Sequence, residues 1–304
     1  MDSNQHTAGA IRVLELGRQM FMNEATRGDD NTLWDTMGAC IRGLTRRFAS
    51  RSGGDDRPME ATVAELHNIW FMFTLAASNI DADHPAQDRL TRTILWARET
   101  GVLTATKGAA TEAITTSDGR IWVDLPFLVD DVRTAWEKAM ISTEDGAAAK
   151  ARNLAAGIAR LAGLGLRNDA FTACGLDIIE RSLEKEPSGP FTPLQLLAMV
   201  EVWLRYAGDK LFTLTSEHHT FGTRWDGTET GASVTEAEDD DARINVLTRA
   251  RVLTWDRRLL ELKSNDDADV SAAAERCRHM MQWCCLCLYG KGIEPWVEDE
   301  IPEP

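Results

Sequence analysis

Apolar residues recur at three- and four-residue spacing along almost the whole chain, and this pattern constrains the fold more than any other. Ile11 and Leu14 open the series over 10–26, and Leu33, Met37, Ile41, Leu44 and Phe48 share one helical face over 32–50. Strand-like alternation is nearly absent, because Val and Ile do not gather in short runs bounded by turns. Prolines stand where helices begin. Pro58 opens a helix running through Ala77 that carries Leu66, Ile69, Trp70 and Phe73. That helix is apolar on more than one face near its end, which marks it as central. Pro85 opens the next, and beyond Pro126 the spacing predicts helices over about 127–141, 147–164 and 168–185. Gly165 falls where a C-terminal cap belongs. Thr192 caps a helix with Pro193 at its first position, ending near Gly208. The last two helices fall at about 241–262 and 268–289.

The expected class is therefore all-α: a single large domain of about ten packed helices over 1–293 with no substantial sheet. Loops are expected near 51–57, 101–120, 186–192 and 213–240, and an acidic tail over 294–304. A chain of 304 residues is long enough to bury a large core. Its net charge of −15 argues against nucleic acid and against an anionic membrane surface, both of which are bound through Lys and Arg. No apolar run reaches the roughly 20 residues of a membrane span. Residues Met1 to His6 lack the basic and apolar regions of a signal peptide, so the expectation is a cytoplasmic protein. Cys277, Cys284, Cys285 and Cys287 crowd one helix, with Cys40 and Cys174 elsewhere; without a CxxC pair they read as reduced thiols filling core space.

Two tryptophans bracket a Leu-Pro corner in Ile121-Trp122-Val123-Asp124-Leu125-Pro126-Phe127-Leu128, followed by Val132-Arg133-Thr134-Ala135-Trp136 and by Ala151 to Leu161. Together with Leu66 to Trp70, His84 to Leu90 and Trp203 to Gly208, these segments resemble a family of fungal all-helical proteins of unknown function. The resemblance covers roughly residues 60 to 265 and implies a helical fold. It carries no catalytic motif onto any residue.

Several residues are candidates for chemistry on their own spacing. Asp267, Ser271 and Glu275 stand at i, i+4 and i+8, on one face of the last helix. Three oxygens so placed suit Mg2+, a hard cation that keeps waters and holds substrate phosphates. The spacing resembles the second metal motif of class I terpene cyclases, all-helical enzymes that ionise an isoprenoid diphosphate in an aromatic-lined pocket. By that resemblance Asp130 and Asp131 would form the first aspartate motif and Arg224 would sense the diphosphate. The chain departs from the pattern at Thr134 and Ala268, where carboxylates are usual. Acidic residues followed by Ser and Ala are also what any helix N-terminus prefers.

His67 falls on the central helix beside Trp70, and His218 and His219 lie together in a Gly/Thr-rich loop; all three are candidates for acid/base work. Ten tryptophans against two tyrosines suggest either core filling or an aromatic-walled pocket, with Trp70, Trp203, Tyr206 and Arg224 as lining. No Gly-rich phosphate loop, dinucleotide fingerprint, nucleophile elbow or HExxH is present, so redox and ATP-dependent chemistry have no motif to rest on. Two functions fit these features. One is an enzyme acting on a hydrophobic small molecule in a fungal natural-product pathway, by cyclisation or rearrangement, with Mg2+ as the cofactor of its terpene-type version. The other is a non-catalytic helical interaction or regulatory module with a protein partner.

Overall fold

A computed structural model describes residues 16–23, 30–49, 59–107, 110–166, 168–186, 189–216, 247–290 and 292–293. The chain is all-α, with two short antiparallel ribbons as its only strands among the described residues. It divides into two compact units, residues 1–137 and 138–304. No helix among the described residues is long and apolar enough to cross a membrane.

Unit 1 contains helical residues 16–23, α1 (Asp30–Ala49), α2 (Met59–Asn79), α3 (Ala86–Glu99) and most of α4 (Leu128–Met140). The helix α2 buries Leu66, Ile69, Trp70, Met72, Phe73, Ala76 and Ala77, residues from most of its circumference, and packs on both α1 and α3. This is the central position that its all-round apolar sequence predicts. The corner between α2 and α3 is fixed by Gln87, fully buried, whose amide donates to the carbonyls of Ala77 and Ile80 at 2.9 and 2.8 Å. It thereby satisfies carbonyls that the end of a helix leaves without partners. Pro85 stands one place before the first residue of α3. The segment that reads from sequence as a long loop folds instead into two ribbons, β1 (Thr104–Lys107) with β2 (Ala110–Ala113) and β3 (Thr115–Thr116) with β4 (Gly119–Arg120). Its threonines and alanines carry no helical period, and Gly119, paired with Thr116 just past the turn, has φ 122°, where a Cβ would lie 2.8 Å from Asp124 Cβ.

Unit 2 is built around α7 (Pro193–Ser216), which packs against α5 (Ala147–Gly163), α6 (Asn168–Ile179) and α9 (Ala268–Tyr289). The start of α7 is a reciprocal capping box. Gln195 N–H donates to Thr192 Oγ1 at 3.3 Å, and Thr192 N–H donates to Gln195 Oε1 at 2.9 Å. The helix does not stop near Gly208 but continues to Ser216. Gly208 is a packing residue: a Cβ there would lie 2.6 Å from Cys284 Sγ of α9. Small residues set the other crossings of α7 in the same way. A Cβ on Gly163 would lie 2.2 Å from the Tyr206 carbonyl oxygen, and one on Gly175 would lie 2.5 Å from the Trp203 ring. Gly165 (φ 71°) ends α5 as expected, its N–H donating to Ala162 O while Leu166 N–H donates to Leu161 O. Both bonds define a Schellman cap.

A π-helical turn, Glu180–Glu184, follows α6 and meets α8 (Arg249–Lys263). Arg251 there forks onto Glu184 at 2.6 and 2.9 Å, and Trp255 Nε1 donates to the same carboxylate. The tryptophans fill the cores: Trp70, Trp122, Trp136, Trp203 and Trp255 are each at most 1% exposed, whereas Trp96 and Trp283 reach 40% and 66%.

Candidate functional site

The Leu-Pro corner is the most strained stretch among the described residues. Pro126 should push Leu125 into extended backbone. Leu125 instead has φ 47°, and Trp122 and Phe127 have φ 67° and 65°. The left-handed region costs a residue with a Cβ about 1–2 kcal/mol, so three such residues within six require strong local anchoring. The anchors are visible. Trp122 Nε1 donates to Thr45 Oγ1 at 3.0 Å, and Trp70 Nε1 donates to the Pro126 carbonyl at 2.7 Å. Phe127 N–H donates to Asp118 Oδ2 at 2.6 Å, and Asp124 accepts from Arg120 at 2.8 Å. The rings of Trp70 and Trp122 meet edge-on, with centroids 6.4 Å apart, and Leu125 is only 2% exposed. Strain held this firmly accumulates at functional sites.

What the corner positions is Phe127. Its ring lies 4.7 Å from that of His67, tilted by 33°, and its carbonyl accepts from Asp131 N–H at 3.0 Å in the first turn of α4. Asp131 then faces the same histidine: its two carboxylate oxygens lie 2.8 and 3.0 Å from His67 Nδ1. A carboxylate only accepts, so Nδ1 carries the proton and the tautomer is fixed. Nε2 is left as the exchangeable nitrogen, without a hydrogen-bond partner among the described residues. The pair is half-buried, His67 36% and Asp131 26% exposed at the side chain. A carboxylate that orients a partly exposed histidine is an arrangement able to take up and deliver a proton. Sequence spacing suggests separate roles for His67 and Asp131; the structure brings them together. Asp130, next in line, points away onto Arg133 at 3.4 Å.

The other candidates fall as follows. Asp267 caps α9, its carboxylate accepting from Asp269 N–H at 2.9 Å and Val270 N–H at 3.3 Å. Ser271 Oγ donates to the Lys263 carbonyl at 2.6 Å, and Glu275 pairs with Lys263 Nζ at 2.7 Å. That hydrogen bond and charge hold the Glu275 carboxyl below its ordinary range. Among the described residues no group of three His, Cys, Asp or Glu side chains is gathered so as to hold a metal ion. His218, His219 and Arg224 lie outside the described residues. Trp70 and Trp203 are buried in their helix packings, Trp203 against Gly175.

Tyr206 lines an open groove of about 540 Å³ between α7 and α9. Leu204, Ala207 and Met280 supply apolar wall, and Lys210, His279 and Trp283 stand around it. The Arg160 guanidinium sits 3.6 Å from the Tyr206 ring centroid and holds it by a cation–π contact. Arg160, Phe127 and Lys210 carry no motif that marks them in the sequence as site residues. For the last helix a signal exists: His279 and Trp283 are four residues apart and share a face.

The fold and these sites define an all-helical protein with an oriented histidine in one unit and an apolar-walled groove in the other. The chain belongs to the family described as Protein of unknown function (DUF3632), whose pattern matches residues 70–259. The match takes in the strained corner, Asp131 and the whole of α7; His67 precedes it and α9 follows it. The chain is similar to "Oxopyrrolidines biosynthesis cluster protein G" of Penicillium oxalicum, 28% identical over 150 residues. That stretch is 46% of this chain and 39% of the length of the Penicillium protein. No solved structure matches the chain.

Proposed function

We propose that this protein serves a natural-product pathway as an enzyme without a redox cofactor, moving a proton on a hydrophobic small molecule with His67 as the acid/base group. The observation that carries the reading is the His67–Asp131 pair, held against Phe127 by backbone that is costly to maintain. The similarity to a biosynthesis-cluster protein supports the pathway assignment. Asp131 orients the ring and stabilises the imidazolium once formed, and Phe127 supplies an apolar face beside it. Rearrangement or cyclisation by proton transfer is the version these side chains support. The Mg2+-dependent version would have to release Asp267 and Glu275 from the cap and the ion pair they make.

A second reading, the non-catalytic interaction module, is favoured by one observation. Trp283 and Leu286, three residues apart on one face near the end of α9, are 66% and 47% exposed. One experiment separates the two. The gene is deleted in its source organism and replaced by wild type or His67→Gln, and extracted small molecules are compared by mass spectrometry. Gln keeps the size and a polar tip but cannot transfer the proton. The enzyme reading expects His67→Gln to reproduce the deletion profile while the purified variant stays folded. A wild-type profile from His67→Gln, with a changed profile on deletion, would refute it and leave the module.

A further inference from the structure

We infer that the groove between α7 and α9 is a second binding site, specific for a ring-bearing carboxylic acid. The site lies wholly in unit 2 and the inference is independent of proton transfer at His67. Its volume, about 540 Å³, is that of a pocket for a drug-sized molecule. Its walls divide by chemistry. Leu204, Ala207 and Met280 are apolar, and Trp283 presents a largely exposed indole whose face is open to stacking. The second aromatic residue, Tyr206, is held in place by Arg160, itself only 7% exposed, whose guanidinium sits 3.6 Å from the ring centroid. Two aromatic walls, one fixed and one exposed, suit a planar apolar body.

The charge of the lining selects the head group. In a chain of net charge −15, this groove is lined by two basic side chains, Arg205 and Lys210, against one carboxylate, Asp209, and by His279, which stands near Glu275. Arg205 is engaged by Glu201 at 3.0 Å, and the Asp209 carboxylate stands by the Cys284 thiol, whose raised pKa it adds to after burial. Lys210 makes no hydrogen bond or ion pair among the described residues, and His279 makes no hydrogen bond among them. A ligand carboxylate would pair with the Lys210 ammonium, a charge-assisted bond stronger than a neutral one, and could accept from a His279 ring N–H. A ligand amine would meet the Lys210 ammonium and be repelled. The occupant is therefore an aromatic or alicyclic acid, with the ring between Tyr206 and Trp283 and the carboxylate at Lys210.

The test uses the full chain and a matched pair of probes, 2-naphthylacetic acid and 2-naphthylacetamide, titrated by calorimetry. The acid should bind at least about fivefold more tightly than the amide. Lys210→Gln should abolish that preference and leave the amide's affinity unchanged. Trp283→Ala, at an exposed position that does not support the core, should weaken both probes by about tenfold or more. His67→Gln should bind both as wild type does, which separates this site from the proton-transfer reading. Equal binding of acid and amide overturns the inference, as does a preference that survives Lys210→Gln or the absence of binding at millimolar acid. Sedimentation showing a dimer that Trp283→Ala dissociates would assign the face to a second copy of the chain and overturn it as well.

Discussion

Replacing Gly163 by alanine tests how closely two helices approach at the groove. A Cβ at this position would lie 2.2 Å from the Tyr206 carbonyl oxygen, 3.3 Å from its carbon and 3.6 Å from Ala207 Cα. All three are backbone atoms of α7, so no side-chain rotation relieves the overlap. Ordinary contact at about 3.5 Å requires α5 and α7 to part by roughly 1 Å, and a gap of that size forfeits a quarter to a half of each dispersion contact it opens. Overpacking of this kind costs about 3 kcal/mol, the upper end of the usual range. Alanine returns at most about 1 kcal/mol in helix propensity, and less at the last residue of a helix. The net expectation is a loss of about 2 kcal/mol or more. Gly43→Ala is the control. Gly43 lies inside α1, and a Cβ there would meet nothing within 4 Å, so the same substitution should gain up to about 1 kcal/mol. Urea denaturation followed by circular dichroism at helical wavelengths reads both, each against wild type. Gly163→Ala at or above wild-type stability would refute the close approach, and with it the placement of Tyr206 at the groove wall.

Two further outcomes follow from the strained corner and the cysteines. Phe127→Gly should be more stable than Phe127→Ala by about 0.5–1 kcal/mol in the same denaturation assay, because relief of the left-handed backbone outweighs the added freedom of glycine in the unfolded chain. A more stable alanine variant would contradict the φ of 65°. Burial pushes the thiols of Cys277 and Cys284 up to about 12 and holds Cys174 well above its ordinary value. The raised value keeps the neutral thiol at pH 8, and thiolate forms only as pH approaches 12, so iodoacetamide should modify exposed Cys287 first. Peptide mapping that finds Cys277 or Cys284 alkylated ahead of Cys287 would contradict their burial.

The relation between spacing and structure differs from one candidate to the next. The helix over 268–289 is legible to the residue, because Asp267 caps it and Gly290 closes it through bonds within a few residues. The capping box of α7 and the Schellman cap of α5 are legible for the same reason. Gly208 is not an end of α7, although its residue type suggests one. Glycine weakens a helix locally, but whether it stops one depends on what packs there, and Cys284 of α9 occupies the space a Cβ would need. Asp267, Ser271 and Glu275 do share a face. What Ser271 and Glu275 bond to is set by Lys263 at the end of α8, twelve residues before Glu275.

Apolar period, caps and prolines act within a few residues, so the helical class, most helix boundaries and the central place of α2 are legible from the residues themselves. The candidate site arises only from long-range packing. His67 and Asp131 are 64 residues apart, and nothing local to either names the other. The three left-handed residues of the corner are not glycines, so no residue type announced them; Thr45, Trp70 and Asp118, remote or only partly local, hold that backbone in place. Local signals fix how the chain bends within a turn. Which side chains meet, and which face stays open to a ligand, is fixed only when distant helices close on one another.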